Sequence, residues 1–191
     1  MTKAILVDVD GVIIKKHGYF SVPYAEKYNV DPSIINAFFR DRYPLCATGK
    51  ADVKEELLKV LSLWKWPGSV DDLLTYWFEW DRGRDEEVIT KINEWRSQGI
   101  PCYLASDQEK YRAEYLMNNV GLKDVVDGAF FSCNLGFQKN SPEFFTSILS
   151  ELKVAPEEVV YFDDDQKNVE VANEIGIKGH TYQSPSDLIL S

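Results

Sequence analysis

Apolar residues follow two different spacings along this chain. Residues 4–7, 100–106, 129–133 and 159–162 are short runs dense in apolar side chains, and such runs predict buried strands. Between them the spacing is helical. Val88, Ile89, Ile92 and Trp95 predict a helix over 85–98 that stops at Gly99. Further helices are expected over 108–120, closed by Gly121, over 142–152, begun by Ser141 and Pro142, and over 166–175, closed by Gly176. The segment "GHTY" at 179–182 supplies a last short strand. Strands alternating with helices imply an α/β fold, a Rossmann-like parallel sheet flanked by helices. Ligands of such sheets sit at the carboxyl ends of the strands.

Residues 15–83 break the alternation. Helical spacing recurs near 32–41, 52–64 and 69–80, with Asp31-Pro32 and Ser69 as starts, and no strand intervenes. We read this stretch as a helical module inserted after the first strand, leaving residues 1–14 and 84–191 as the sheet-bearing core. The module holds 13 of the 25 aromatic residues, among them Trp64, Trp66, Trp77 and Trp80. Large side chains at that density are expected to make the core of a small bundle; an aromatic wall over a pocket is the alternative.

Charge narrows the list of partners. The chain has 191 residues, and 21 basic against 31 acidic side chains give a formal charge of −10. So acidic a surface argues against nucleic acid or an anionic membrane as partner. An anionic small molecule is still admissible, because local lysines or a metal can invert the field of one pocket. The three cysteines, Cys46, Cys102 and Cys133, show no CxxC pairing and are read as reduced thiols, with Cys102 and Cys133 expected in the core. No apolar run approaches membrane-spanning length. The N-terminal run of residues 4–7 is too short for a secretory signal. A cytoplasmic protein, a monomer or weak homodimer, is the expectation.

Two strand ends carry the candidate chemistry. The first strand runs into Asp8, Val9, Asp10 and Gly11; the run at 159–162 ends in Asp163, Asp164 and Asp165. Alone, Asp8-x-Asp10 fits a solvated turn or a calcium loop equally well. Its context is more telling: a second strand ends at Ser106, and Lys139 precedes a capped helix. At these residues the chain resembles the haloacid dehalogenase-like hydrolase superfamily. "DVDGV" is similar to that family's first motif, "LASD" to its second, "GFQKNSPEFF" to its third and "YFDDDQKNVEVANEIG" to its fourth. The likeness covers about 1–14 and 84–185, and residues 15–83 stand where the family carries an alpha-helical cap.

The resemblance implies a phosphatase acting on a small phosphorylated metabolite, of the sugar phosphate or nucleotide class. The residue types suit that chemistry. Phosphate monoesters hydrolyse very slowly in water, and a covalent intermediate on a carboxylate divides the barrier. Asp8 is the expected nucleophile and Asp10 the acid and then base. Gly11 lets the backbone turn close to the ligand. Several carboxylates beside a phosphate repel strongly unless offset, so a hard cation is required, and all-oxygen ligands suit Mg²⁺. Asp8, Asp163 and Asp164 are its expected ligands, and the resemblance adds the main-chain carbonyl of Asp10. Lys139 supplies positive charge at the reacting centre.

Ser106, Asp107 and Gly11 form the expected substrate-binding set, with Lys15, Lys16, His17, Tyr43 and Lys50 as further candidates. Asp165 is read as a first-turn acid of the following helix, and Asn168, Val169 and Ala172 as packing residues. Two positions depart from the family pattern: Asp107 stands where Asn is usual, and Asn140 where Pro follows the lysine. Dehalogenation is disfavoured because family dehalogenases lack the second aspartate. A phosphomutase with the same aspartates and a catalytically weak binding or regulatory protein are the alternatives.

Overall fold

The computed structural model describes residues 1–16 and 18–190. Its centre is a five-stranded, wholly parallel sheet in the order β3-β2-β1-β4-β5, made of β1 (Ala4–Val7), β2 (Cys102–Ser106), β3 (Gly128–Phe131), β4 (Val159–Asp163) and β5 (Lys178–Thr181). Side chains alternate across the sheet. Ile5, Val7 and Phe162 face one apolar layer with Val88, Ile92, Trp95 and Leu116. Ala4, Leu6 and Tyr161 face the other with Phe144, Phe145 and Ile148. Both faces are covered, and this is why the strands read as unbroken apolar runs rather than alternating ones.

The chain builds out from β1 to β2 and β3, then crosses back to place β4 on the opposite side of β1. The switch in winding therefore falls between β1 and β4, where parallel sheets open a crevice at their carboxyl edge. Register sets what that crevice contains. Val7 pairs with Phe162, and the Asp8 amide donates to the Phe162 carbonyl at 2.9 Å, so Asp8 and Asp163 emerge side by side.

Five helices precede the return to the sheet: α1 (Ser21–Tyr28), α2 (Pro32–Asp41), α3 (Tyr43–Ala47), α4 (Val53–Leu58) and α5 (Val70–Trp80). They share an apolar cluster of their own, including Tyr24, Ile35, Phe38, Leu57, Trp64, Leu73 and Phe78. Trp64 is completely buried there, packed near Tyr24 and Phe38 with ring centroids 5.5 and 5.4 Å away. The two ends of the segment lie together: the Lys15 amide donates to the Gly83 carbonyl at 2.9 Å, and the Asp85 amide to the Ile13 carbonyl at 2.7 Å. The remaining helices, α6 (Glu86–Ser97), α7 (Lys110–Asn118), α8 (Ser132–Leu135), α9 (Pro142–Leu152) and α10 (Gln166–Glu174), belong to the sheet layers and their loops. Among the described residues no helix is long and apolar enough to cross a membrane.

Several expectations need correcting. Helices α1 and α3 have no counterpart in the sequence reading; both are short, and each carries a proline, Pro23 and Pro44, within its first turn. The helix expected over 52–64 is regular only to Leu58 and then runs through turns to Lys65, whose φ is +53°. The strand expected to reach 133 stops at Phe131, because Ser132 is drawn off the ladder. Its hydroxyl donates to the Ala47 carbonyl at 2.6 Å and accepts from the Gln108 amide at 3.0 Å. Ser141 stands at the N-cap of α9 without capping it; its hydroxyl bonds the Glu143 carboxylate. Cys133 is half-buried rather than in the core, whereas Cys46 and Cys102 are buried.

Removing the indole at the middle of the helical cluster tests how much that cluster carries. Trp64→Ala is expected to lower the unfolding free energy by about 3–5 kcal/mol, read from urea denaturation; a loss below about 1 kcal/mol would show that the helices do not depend on this core.

Candidate active site

Three strand ends and one loop converge at the carboxyl edge of the sheet. Asp8 follows β1, Ser106 ends β2 and Asp163 ends β4. Lys139 comes from the loop before α9. Its ammonium lies 2.7 Å from Asp8 Oδ1 and 2.7 Å from Asp163 Oδ2, and all three residues are buried. With Asp163 the contact is a hydrogen bond. With Asp8 it is an ion pair.

The titration of these groups follows from burial and neighbours. Loss of solvent pushes the Asp8 carboxyl up to about 7, with Lys139 pulling it down and Asp163 adding to the rise. Burial alone lowers a lysine, but Asp8, Asp163 and Asp107 together hold Lys139 above its ordinary value. The ammonium therefore stays charged at neutral pH. Asp163 also accepts from the Asp165 amide at 2.7 Å, from Asn168 Nδ2 at 3.2 Å and from the Tyr161 hydroxyl, so it is held in one orientation.

Asp164 lies beside this pair, and carboxylate oxygens of Asp8, Asp163 and Asp164 all fall within 4.8 Å of one another. Three hard oxygen donors converging on one point fit a divalent cation of the Mg²⁺ type. Gly11 makes room for the third: its φ is +100°, and a Cβ there would lie 2.5 Å from Asp164 Oδ2. Lys16 pairs with the Asp164 carboxylate from the solvent side.

Two buried groups that the sequence reading does not single out touch Asp10. Gln108, 2 % exposed, donates through Nε2 to Asp10 Oδ2 and to Ser106 Oγ, the latter at 3.0 Å. Arg112, also buried, reaches Asp10 Oδ1 with Nη2 at 3.4 Å. Tyr161 was likewise overlooked, although it stands two residues before Asp163 on one strand and so on the same face. Asn168, a packing and turn residue by its sequence, donates to the Asp163 carboxylate.

The other expected residues divide. The Asp107 carboxylate accepts from the Lys139 amide at 3.0 Å, anchoring the loop that carries the ammonium; burial raises its pKa despite Lys139. It does not cap α7, which Glu109 does by accepting from the Tyr111 and Arg112 amides. Asp165 caps α10 through the Lys167 amide. Lys15 pairs with Asp85 at 3.3 Å and not with the acidic cluster. Tyr43 is half-buried against Phe39 and Trp77, with centroids 5.6 and 5.7 Å away. Lys50 lines a cavity of about 420 Å³ with Asp52, Glu109 and Asn134, which holds none of the clustered aspartates. His17 lies outside the described residues.

The chain is similar to several known proteins. The haloacid dehalogenase-like hydrolase family model matches residues 2–176. The enolase-phosphatase E1 of Persephonella marina is 24 % identical over 98 % of this chain and 91 % of its own length. The D-ribitol-5-phosphate phosphatase of Bacteroides thetaiotaomicron is 27 % identical over 39 % of this chain and 36 % of its own. Among solved structures, a HAD family enzyme of Bacteroides thetaiotaomicron in complex with magnesium and inorganic phosphate superposes with a TM-score of 0.83 at 19 % identity, covering 96 % of this chain and 95 % of that one.

Gly11 offers a direct test of the cation site. Gly11→Ala is expected to weaken Mg²⁺ binding roughly tenfold or more, measured by titration calorimetry, with the far-ultraviolet dichroism unchanged. Unaltered affinity would mean that Asp164 is not a ligand.

Proposed function

Because the chain belongs to the haloacid dehalogenase-like hydrolases, we propose that it is a Mg²⁺-dependent phosphatase that hydrolyses a small phosphorylated metabolite through an aspartyl phosphate on Asp8. The observation that carries this reading is the buried Lys139 ammonium, 2.7 Å from both Asp8 and Asp163, at the mouth of the sheet. A carboxylate placed there is a usable nucleophile toward phosphorus only where positive charge offsets its repulsion from the phosphate.

Asp8 attacks phosphorus in line as the ester oxygen departs, and Asp10 gives that oxygen its proton. Water then attacks the acyl phosphate, Asp10 takes the proton back, and inorganic phosphate leaves with Asp8 restored. Lys139 stabilises charge on the transferring group, and the Ser106 hydroxyl holds one of its oxygens. Asp8, Asp163 and Asp164 and, by family resemblance, the Asp10 carbonyl would hold Mg²⁺, which when bound would supply the positive charge that lets these carboxylates meet a phosphate.

Residues 15–83 act as the cap over this site. The helical cluster with its own apolar core and the paired chain crossings at Lys15–Gly83 and Ile13–Asp85 support that role. A helical body that seats over the crevice excludes bulk water during transfer. A substrate of the sugar phosphate or nucleotide class completes this reading, and the similarity to a protein named D-ribitol-5-phosphate phosphatase supports the first of these. A cytoplasmic enzyme, acting as a monomer or weak homodimer, completes this reading.

Hydrolysis of 4-nitrophenyl phosphate is expected to require Mg²⁺ and to fall to background in Asp8→Asn. Beryllium fluoride is expected to form its adduct on Asp8. Turnover that survives in Asp8→Asn would remove Asp8 from the chemistry, and no metal-dependent turnover across a panel of phosphate esters would remove the phosphatase reading.

A further inference from the structure

The loop after β2 and the first turn of α7 carry two buried polar side chains that none of the assigned roles uses, Gln108 and Arg112. Gln108 is 2 % and Arg112 5 % exposed. Burying an amide and a guanidinium is costly unless each donor finds an acceptor, and the acceptors are specific. Gln108 Nε2 is shared between Asp10 Oδ2 and Ser106 Oγ. Arg112 Nη1 donates to the Phe78 carbonyl at 3.1 Å, while Nη2 donates to the Asp81 carbonyl and approaches Asp10 Oδ1 at 3.4 Å. Phe78 and Asp81 stand at the C-terminal end of α5, where the helical segment returns to the sheet. A cation is favoured there because the last carbonyls of a helix lack intrahelical partners.

Each oxygen of Asp10 is thus met by a different donor. The Asp10 side chain is 40 % exposed, and without those donors its carboxyl would sample several rotamers. We propose that Gln108 and Arg112 are positioning residues that aim the Asp10 carboxyl at the ester oxygen, and that Arg112 links this aim to the seating of α5. The proposal rests on the acid and base role assigned to Asp10 above. Proton transfer depends steeply on geometry, and a misplacement of about 1 Å costs on the order of a hundredfold. Arg112 suits the linking role because one planar guanidinium reaches three acceptors, which a lysine ammonium on a flexible stem does not.

Leaving-group dependence separates positioning from mere structural support. For kcat/KM the relevant step is departure of the ester oxygen, and a poor leaving group needs its proton there far more than a good one. Gln108→Met and Arg112→Lys are conservative in size and charge respectively. With Mg²⁺ present, both are expected to lower kcat/KM for phenyl phosphate by roughly ten- to a hundredfold, and that for 2,4-dinitrophenyl phosphate by less than about threefold. Combined with Asp10→Asn, neither is expected to add a further loss on phenyl phosphate, because residues acting through one group are non-additive. Equal losses on the two esters, or fully additive losses with Asp10→Asn, would overturn the proposal while leaving the phosphatase reading intact. Absence of metal-dependent hydrolysis of either ester by the unaltered protein would instead overturn the phosphatase reading, and this proposal with it.

Discussion

The pairing of β1 with β4 governs everything at the carboxyl edge of the sheet. With Val7 opposite Phe162, Asp8 and Asp163 have to leave the sheet together. Unit charges 4–5 Å apart repel by roughly 3–4 kcal/mol at an effective dielectric constant of about 20, and these two are buried. The arrangement persists because the Lys139 ammonium lies between them and because Tyr161, Asn168 and the Asp165 amide donate to Asp163. A slip of one residue in this register would turn one aspartate to the opposite face and dissolve the site.

The acidic cluster illustrates how a charge-dense site stays compatible with folding. Its negative groups sit at the carboxyl edge of the sheet, where a backbone amide, a buried lysine and a hydroxyl donor are gathered, while apolar side chains fill the layers on the two sheet faces. Asp107 belongs to this economy. Standing where the family pattern has asparagine, it accepts from the Lys139 amide, and its charge acts on the Lys139 ammonium. The unusual residue therefore supports the lysine's placement.

The helical segment is built around a dense aromatic interior. Phe20, Tyr24, Phe38 and Trp64 are buried in it, which agrees with the bundle-core reading. Phe39, Tyr43 and Trp77 are only half-buried and pack on one another. These rings too pack against the helical core. Arg112 joins this segment to the sheet by holding its last carbonyls.

Much of the molecule was legible in the chain itself, where the signals are local. Strand runs, the cap residues Asp31 and Ser69, and helix α9 over 142–152 were all readable because periodicity and capping act within a few residues. Asp8, Ser106 and Asp163 could be placed at strand ends for the same reason, while Lys139, in a loop, was singled out by its place before helix α9 and by the family resemblance. Helices α1 and α3 were missed because tertiary packing, not propensity, holds such short segments. What only the tertiary structure decided is which distant groups meet. Gln108 and Arg112 lie 98 and 102 residues from Asp10, and no local pattern reveals that both carboxylate oxygens of Asp10 have donors. Helical and strand spacing state which way a side chain faces; only the sheet order and the seating of α5 state what it faces.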